Sequence, residues 1–206
     1  MTKKQIKAMQ DIISDLQYRR DASIDAQNEK RAEKNEPPLP REIVGEQKTP
    51  TGYMVLDGCV GVYYHEPVAE LPHDDKYDRA DDILRREISD QLENGDYCLV
   101  SFPFSGDIKA SKIREILKQY GESIKLDRGR TVIDLQAKTE RGETLESRFN
   151  VLYVRRAVEA LGGSVRLYIG KHRVKAQPYP FLIVVQEDTD FNLDRGTYAI
   201  VMPMRR

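Results

Sequence analysis

Apolar residues near the start of the chain recur every three or four positions and then stop. Ile6, Met9, Ile13 and Leu16 fall on one stripe, because 3.6 residues per turn brings positions three and four apart back to the same side of a helix. The spacing predicts a helix over residues 3–34 whose stripe packs on the protein's own body. Beyond Arg19 the stripe gives way to Asp, Glu, Lys and Gln, so the second half of the helix is predicted to be solvated. Pro37, Pro38 and Pro40 end it: proline has no N–H to donate and disfavours helical dihedrals in the residue before it. Residues 35–50 read as a linker.

The period then changes. Residues 53–56 and 60–64 read as two strands joined at Asp57-Gly58, a tight-turn dipeptide. Residues 67–77 read as a proline- and aspartate-rich loop. Ile83, Leu84, Ile88 and Leu92 predict a helix over 79–93, stopped by Asn94-Gly95. From Tyr97 a regular order sets in: a strand over 97–104, a helix over 111–120 with Ile113, Ile116, Leu117 and Tyr120 on one face, then strands over 123–126 and 131–137 around Asp127-Arg128-Gly129. The order recurs with a strand over 144–149 and a helix over 151–161 that carries Val151, Val154, Val158 and Leu161 on one face and closes at Gly162-Gly163. Strands over 164–169, 173–177, 181–186 and 197–202 follow, with Lys171-His172-Arg173 as a basic turn. The expected fold is α+β: one domain of tandem strand-helix-strands units with an antiparallel sheet and helices on one face, plus an N-terminal helical appendage. The expected division is 1–50 for the helix and linker, 51–96 for a strand pair and helix, and 97–206 for the repeated domain.

Composition narrows the function. At 206 residues the chain can bury a real core. Its 33 basic and 34 acidic residues leave a net charge of −1, so nucleic-acid contact would need a local basic face. Cys59 and Cys98 are too few for a disulfide scaffold and lack zinc-ligand spacing, which fits a reducing, cytoplasmic setting. No apolar h-region follows Met1-Thr2-Lys3-Lys4, and no apolar run approaches the ~18 residues of a membrane span, so neither a signal peptide nor a membrane partner is expected. No phosphate-binding glycine loop is present, and no cofactor is expected.

Three motifs occur in order: Phe149-Asn150-Val151-Leu152-Tyr153 opens the last helix, Gly162-Gly163-Ser164-Val165-Arg166-Leu167 follows it, and Met202-Pro203-Met204-Arg205 comes after the last strand. Together they resemble the last domain of the bacterial sliding clamp, the beta subunit of the replicative DNA polymerase. That family shows a Phe-Asn-x-x-Tyr helix start, a Val-Arg strand after the helix and a Met-Pro-Met-Arg terminus. The resemblance is best over residues 145–206; residues 97–144 fit by pattern alone, and Leu56-Asp57-Gly58 stands where a clamp has a Thr-Asp-Gly turn. A clamp subunit carries three such domains and dimerises into a ring, whereas this chain has room for one domain and about half of another.

The resemblance implies a non-enzymatic protein with a pocket for the short clamp-binding peptides of polymerase and repair proteins. By position, Asn150 and Tyr153 would form one wall and Met202, Pro203, Met204 and Arg205 another, with Pro180, Leu182 and Val201 as further lining. Methionine and tyrosine would receive leucine or phenylalanine anchors. It also implies double-stranded DNA as a partner, met by Lys109, Lys112 and Lys118 on or beside one helix and by Arg155 and Arg156 on the next, although Glu115 and Glu159 give that face mixed charge. A homo-oligomeric ring is one form this would take. A clamp mimic that sequesters peptides without encircling DNA is another, and an accessory DNA-binding protein is a third. A metal-dependent hydrolase using His65, His73, Asp74 and Asp75 is the enzymatic alternative; against it, the chain has three histidines and His73-Asp74-Asp75 reads as a solvated acidic loop. Asn150 also reads as a plain helix N-cap.

Overall fold

The computed structural model describes residues 1–49, 52–57, 59–74, 97–102, 108–109, 125–127, 130–138, 142, 144–172, 179–186 and 196–204. It opens with helix α1, Lys3–Glu33. Thr2 and Gln5 form a reciprocal capping box at its start: the Thr2 side chain accepts from the Gln5 N–H, and the Gln5 side chain accepts from the Thr2 N–H. Asn35, with φ of 55°, turns the chain back after the helix, and Pro37 and Pro38 keep it extended. Among the described residues the strands are β1 Glu46–Thr49, β2 Gly52–Leu56, β3 Val60–Tyr64, β4 His73–Asp74, β5 Tyr97–Phe102, β6 Ile108–Lys109, β7 Lys125–Asp127, β8 Arg130–Lys138, β9 Thr144–Asn150, β10 Ser164–His172, β11 Tyr179–Gln186 and β12 Tyr198–Val201. Helix α2, Val151–Leu161, follows β9 directly.

All these strands belong to one mixed α+β fold. Their order is β4-β1-β2-β3-β12-β11-β10-β5-β8-β7, with β6 beside β10 and β9 beside β8. The pairings are antiparallel except for β1 with β4. The hairpin β2–β3 joins the rest through β12, with Tyr63 opposite Tyr198 and Val62 opposite Ala199. Successive strand residues point to opposite faces, so this register sorts two apolar layers. Val55, Val62, Leu182, Val184, Ala199 and Val201 face one way into the main core; Met54, Tyr63, Ile183, Val185, Tyr198 and Ile200 form a smaller layer on the other face.

Both of the described helices lie on the main-core face. Ala8, Met9, Ile12 and Ile13 of α1 and Val154, Ala157, Val158, Ala160 and Leu161 of α2 belong to the same buried cluster. The N-terminal helix is therefore part of the core rather than an appendage to it, and the stripe fades where the sequence pattern places it. From Ser14 to Ile43 no residue is buried. This distal part is braced by the returning chain: the Gln17 amide donates to Glu42 O at 2.9 Å and accepts from Val44 N at 2.9 Å, and the Asn28 amide does the same with Leu39 at 3.2 and 2.6 Å.

Some expectations change. The linker 35–50 holds strand β1, and residues 73–74 form strand β4 rather than a solvated loop, with Asp74 buried. Strand β10 runs on through Lys171 and His172, which pair with Pro180 and Tyr179, so these two residues are strand and not turn. The helices expected at 79–93 and 111–120 and the strand expected at 173–177 lie outside the described residues.

Candidate functional site

Strand β9 runs straight into α2 because Asn150 is extended, at φ −74° and ψ 122°, and its Oδ1 accepts the Leu152 N–H at 2.9 Å. That bond satisfies a backbone donor which the first helical turn cannot. The side-chain oxygen of a residue that the resemblance places in a pocket wall thus already holds a backbone partner, and Asn150 is only 7% exposed. Tyr153, one residue beyond Leu152, is half-buried.

The segment after β12 is strapped down at two points. Met202 N donates to Cys59 O and Met204 N donates to Arg148 O, both at 2.8 Å. Met202, Pro203 and Met204 are thereby held between the β2–β3 turn and β9, each half-buried. Leu182 and Val201 sit opposite each other on β11 and β12 with no exposed surface, so they are core residues and not lining. Pro180 is placed through its backbone in β11, and Arg205 lies outside the described residues.

The β2–β3 turn supplies what the sequence reading missed. Asp57 is buried, and its Oδ1 accepts from Cys59 N and Val60 N, each at 2.7 Å, while its own N–H donates to Val60 O at 3.0 Å. Its Oδ2 lies 2.9 Å from Arg19 Nη2, which also donates to Asp57 O at 2.9 Å. Arg19 Nε donates to Asp15 O, and Nη1 reaches the Cys59 sulfur at 4.0 Å. Burial works against the Arg19 charge, but Asp57 and then Cys59 and Tyr153 more than offset it, and its pKa stays above the ordinary value. The Tyr153 phenol is pushed up, first by burial and then by Cys59 and Asp57, with Arg19 pulling the other way. Residues from α1, the β2–β3 turn and α2 thus meet beside the Met202–Met204 strap. The turn dipeptide was legible in sequence; Arg19 was not, because it sits where the apolar stripe ends.

The face expected to meet DNA is covered. No residue of α2 is exposed, because α1 lies across it: Gln5 Nε2 donates to Leu161 O at 2.5 Å, Gln5 packs on Gly162, and Arg156 is ion-paired to Asp15. The Arg156 side chain is 11% exposed and the Arg155 Nε is enclosed. Arg156, the expected DNA-contact residue of this helix that is engaged by α1, is thus turned to an ion pair inside the protein, while Arg155 is half-buried. Lys109 is placed by its backbone in β6, and Lys112 and Lys118 lie outside the described residues.

A second polar cluster surrounds Glu46, whose side chain is fully buried. Its Oε1 accepts from Tyr64 Oη at 2.7 Å and Val68 N at 2.9 Å, its Oε2 lies 3.0 Å from His73 Nδ1, and its N–H donates to Pro72 O at 2.7 Å. The cluster holds the segment after β3, of which residues 65–70 wall a cleft of about 650 Å³ shared with Gln5, Ile6, Gln186 and Thr197. Gly45 permits the contact, since a Cβ there would lie 2.1 Å from Pro72 O. Here His73 serves a carboxylate; among the described residues no group of three or more His, Cys, Asp or Glu is arranged to hold a metal ion. Among the described residues no helix is long and apolar enough to cross a membrane. No family model, curated protein or solved structure matches the chain.

Proposed function

We propose that this protein is a peptide-binding interaction protein of the sliding-clamp type, acting by binding rather than catalysis and engaging clamp-binding peptides without passing DNA across its α2 face. The observation that carries the reading is the convergence of Tyr153 with the strapped Met202-Pro203-Met204 segment across Cys59. These two half-buried elements are the ones to which the clamp resemblance assigns peptide binding. Apolar and aromatic side chains held by backbone hydrogen bonds offer preorganised surface to leucine or phenylalanine anchors, which lowers the ordering cost of binding. The order β9-α2-β10-β11-β12 supports a clamp-type unit, with the strands after the helix forming an antiparallel meander. The cover of α1 over α2 favours the mimic over a ring that lines DNA with this helix. A reducing cytoplasm suits the free thiol of Cys59.

Titration of a fluorescein-labelled pentapeptide, Ala-Glu-Leu-Leu-Phe, tests the reading. Saturable binding is expected, weakened at least tenfold in a Tyr153→Ala, Met202→Ala double variant, because each truncation removes an apolar contact of about 1 kcal/mol or more. Absence of saturation, or equal affinity in the variant, would refute the groove.

A further inference from the structure

We propose that α1 supplies a third wall of this groove and that Arg19 is its specificity-determining residue, selecting peptides that carry an acidic side chain beside their apolar anchors. The proposal rests on the groove reading above and adds to it a residue from a helix that the clamp resemblance does not cover.

Four features of Arg19 carry it. Its position is fixed: Nη2 donates to Asp57 O at 2.9 Å and is ion-paired with Asp57 Oδ2 at 2.9 Å, and Nε donates to Asp15 O at 3.2 Å. Its edge is only weakly engaged: among the described residues Nη1 has the Cys59 sulfur as its partner, at 4.0 Å, a long bond to a weak acceptor that a carboxylate oxygen would replace favourably. It is accessible, with 43% of its side chain exposed, whereas Asp57 is enclosed. And it lies at the groove, sharing Cys59 and Asp57 with the Tyr153 phenol, while Cys59 O holds Met202. A preorganised guanidinium with a weakly engaged N–H edge beside apolar surface is the arrangement that recognises a carboxylate, because the ordering cost of the long side chain has already been met.

The charges around it set the size of the effect. Asp57 neutralises much of the Arg19 charge, and Asp15 is engaged by Arg156. The preference therefore comes from one charge-assisted hydrogen bond at a partly exposed site and not from a broad basic field.

The test compares Ala-Glu-Leu-Leu-Phe with Ala-Gln-Leu-Leu-Phe, both labelled, by anisotropy on the full chain. The wild type should prefer the Glu peptide by about three- to fivefold, as for a partly exposed ion pair, and the preference should shrink as salt is raised. In Arg19→Ala the ratio should fall to unity or below, while Arg19→Lys, which keeps the charge, should retain part of it. Reading a ratio within each variant removes any general loss from the broken Asp57 contact, and the unpaired Asp57 carboxylate disfavours only the Glu peptide, so it lowers the ratio in the same direction as the loss of Arg19. If Arg19→Ala does not fold, the salt dependence of the wild-type ratio decides. A wild type that binds both peptides equally, a ratio unchanged by Arg19→Ala, or one insensitive to salt overturns the assignment of Arg19 while leaving the groove intact. Failure of the wild type to bind either peptide overturns the groove itself, and Arg19's role with it.

Discussion

Replacing Ile12 by alanine tests whether α1 belongs to the folding unit. Ile12 has no exposed surface and lies in one cluster with Met9, Val154, Val158 and Leu161. Truncating a fully buried isoleucine loses the transfer energy of its outer carbons and leaves a cavity, together about 2–5 kcal/mol. Against a total stability of about 5–15 kcal/mol, that is a large fraction. For a domain of this size each kcal/mol moves the melting temperature by about 2–4 °C, so a loss of about 3 kcal/mol predicts a fall of roughly 6–12 °C. Ile24→Ala is the control: Ile24 is half-buried in the distal half of the same helix, and its truncation should cost less than about 1 kcal/mol. Urea denaturation followed by helical circular dichroism measures both. The structure requires one transition, with the Ile12→Ala midpoint lowered and the slope unchanged. A wild type that loses helical signal in two separate steps, or an Ile12→Ala midpoint equal to that of Ile24→Ala, would refute the docking of α1 and with it the argument that α2 is covered.

Two further outcomes follow from buried polar groups. Asn150→Ala should lower stability by about 1 kcal/mol through the lost cap yet leave affinity for the labelled pentapeptide unchanged, because its Oδ1 is already committed to Leu152 N; a tenfold affinity loss without loss of stability would contradict this assignment. Tyr64→Phe concerns alkaline pH. Burial, then the hydrogen bond to Glu46 and its charge, raise the Tyr64 pKa above its ordinary 10.0. The unfolded tyrosine ionises near pH 10 while the folded one keeps its proton, so its contribution is full below that pH and declines as pH rises above it. Urea midpoints at about pH 8 and about pH 11 should therefore fall less with pH in Tyr64→Phe than in the wild type, although the variant starts lower because Glu46 loses a donor. An equal fall in both would show that Tyr64 is not the group involved.

Much of the fold was legible because its apolar residues repeat with clean periods. The four-residue stripe of α1, the apolar face of α2 and the short apolar runs of β2, β3, β11 and β12, buried on both faces, all announce themselves. Strand β1 does not: Glu46, Gln47, Lys48 and Thr49 contain no apolar residue, yet Glu46, Gln47 and Thr49 are buried. Its place is set by partners distant in sequence, namely Tyr64, Val68 and His73, and a local pattern carries no trace of them. The same reason hid the meeting of Arg19 with the β2–β3 turn and Tyr153. Sequence places Tyr153 near the end of the chain and Arg19 near its start, and only the crossing of α1 over α2 brings them to one turn. Leu182 and Val201 erred in the opposite direction, since apolar residues near a motif look like lining until their burial is known.

The division of α1 at Arg19 connects these points. Up to Leu16 the helix is held by core contacts; from Ser14 on none of its residues is fully buried, and an isolated helical segment of this length is marginal in water. The returning chain compensates: Gln17 and Asn28, three turns apart on the same face, each present an amide that both donates to and accepts from its backbone. Arg31 adds a bond to Pro37 O at 2.7 Å, and Arg41 pairs with Asp25 at 3.2 Å. The helix therefore passes, within a turn of Arg19, from core contacts to bracing by the returning chain. Arg19 is tied to the β2–β3 turn through an aspartate that is itself locked by two backbone donors. That anchoring gives a side chain from an otherwise solvated stretch of helix a defined geometry beside Cys59, whose carbonyl holds Met202.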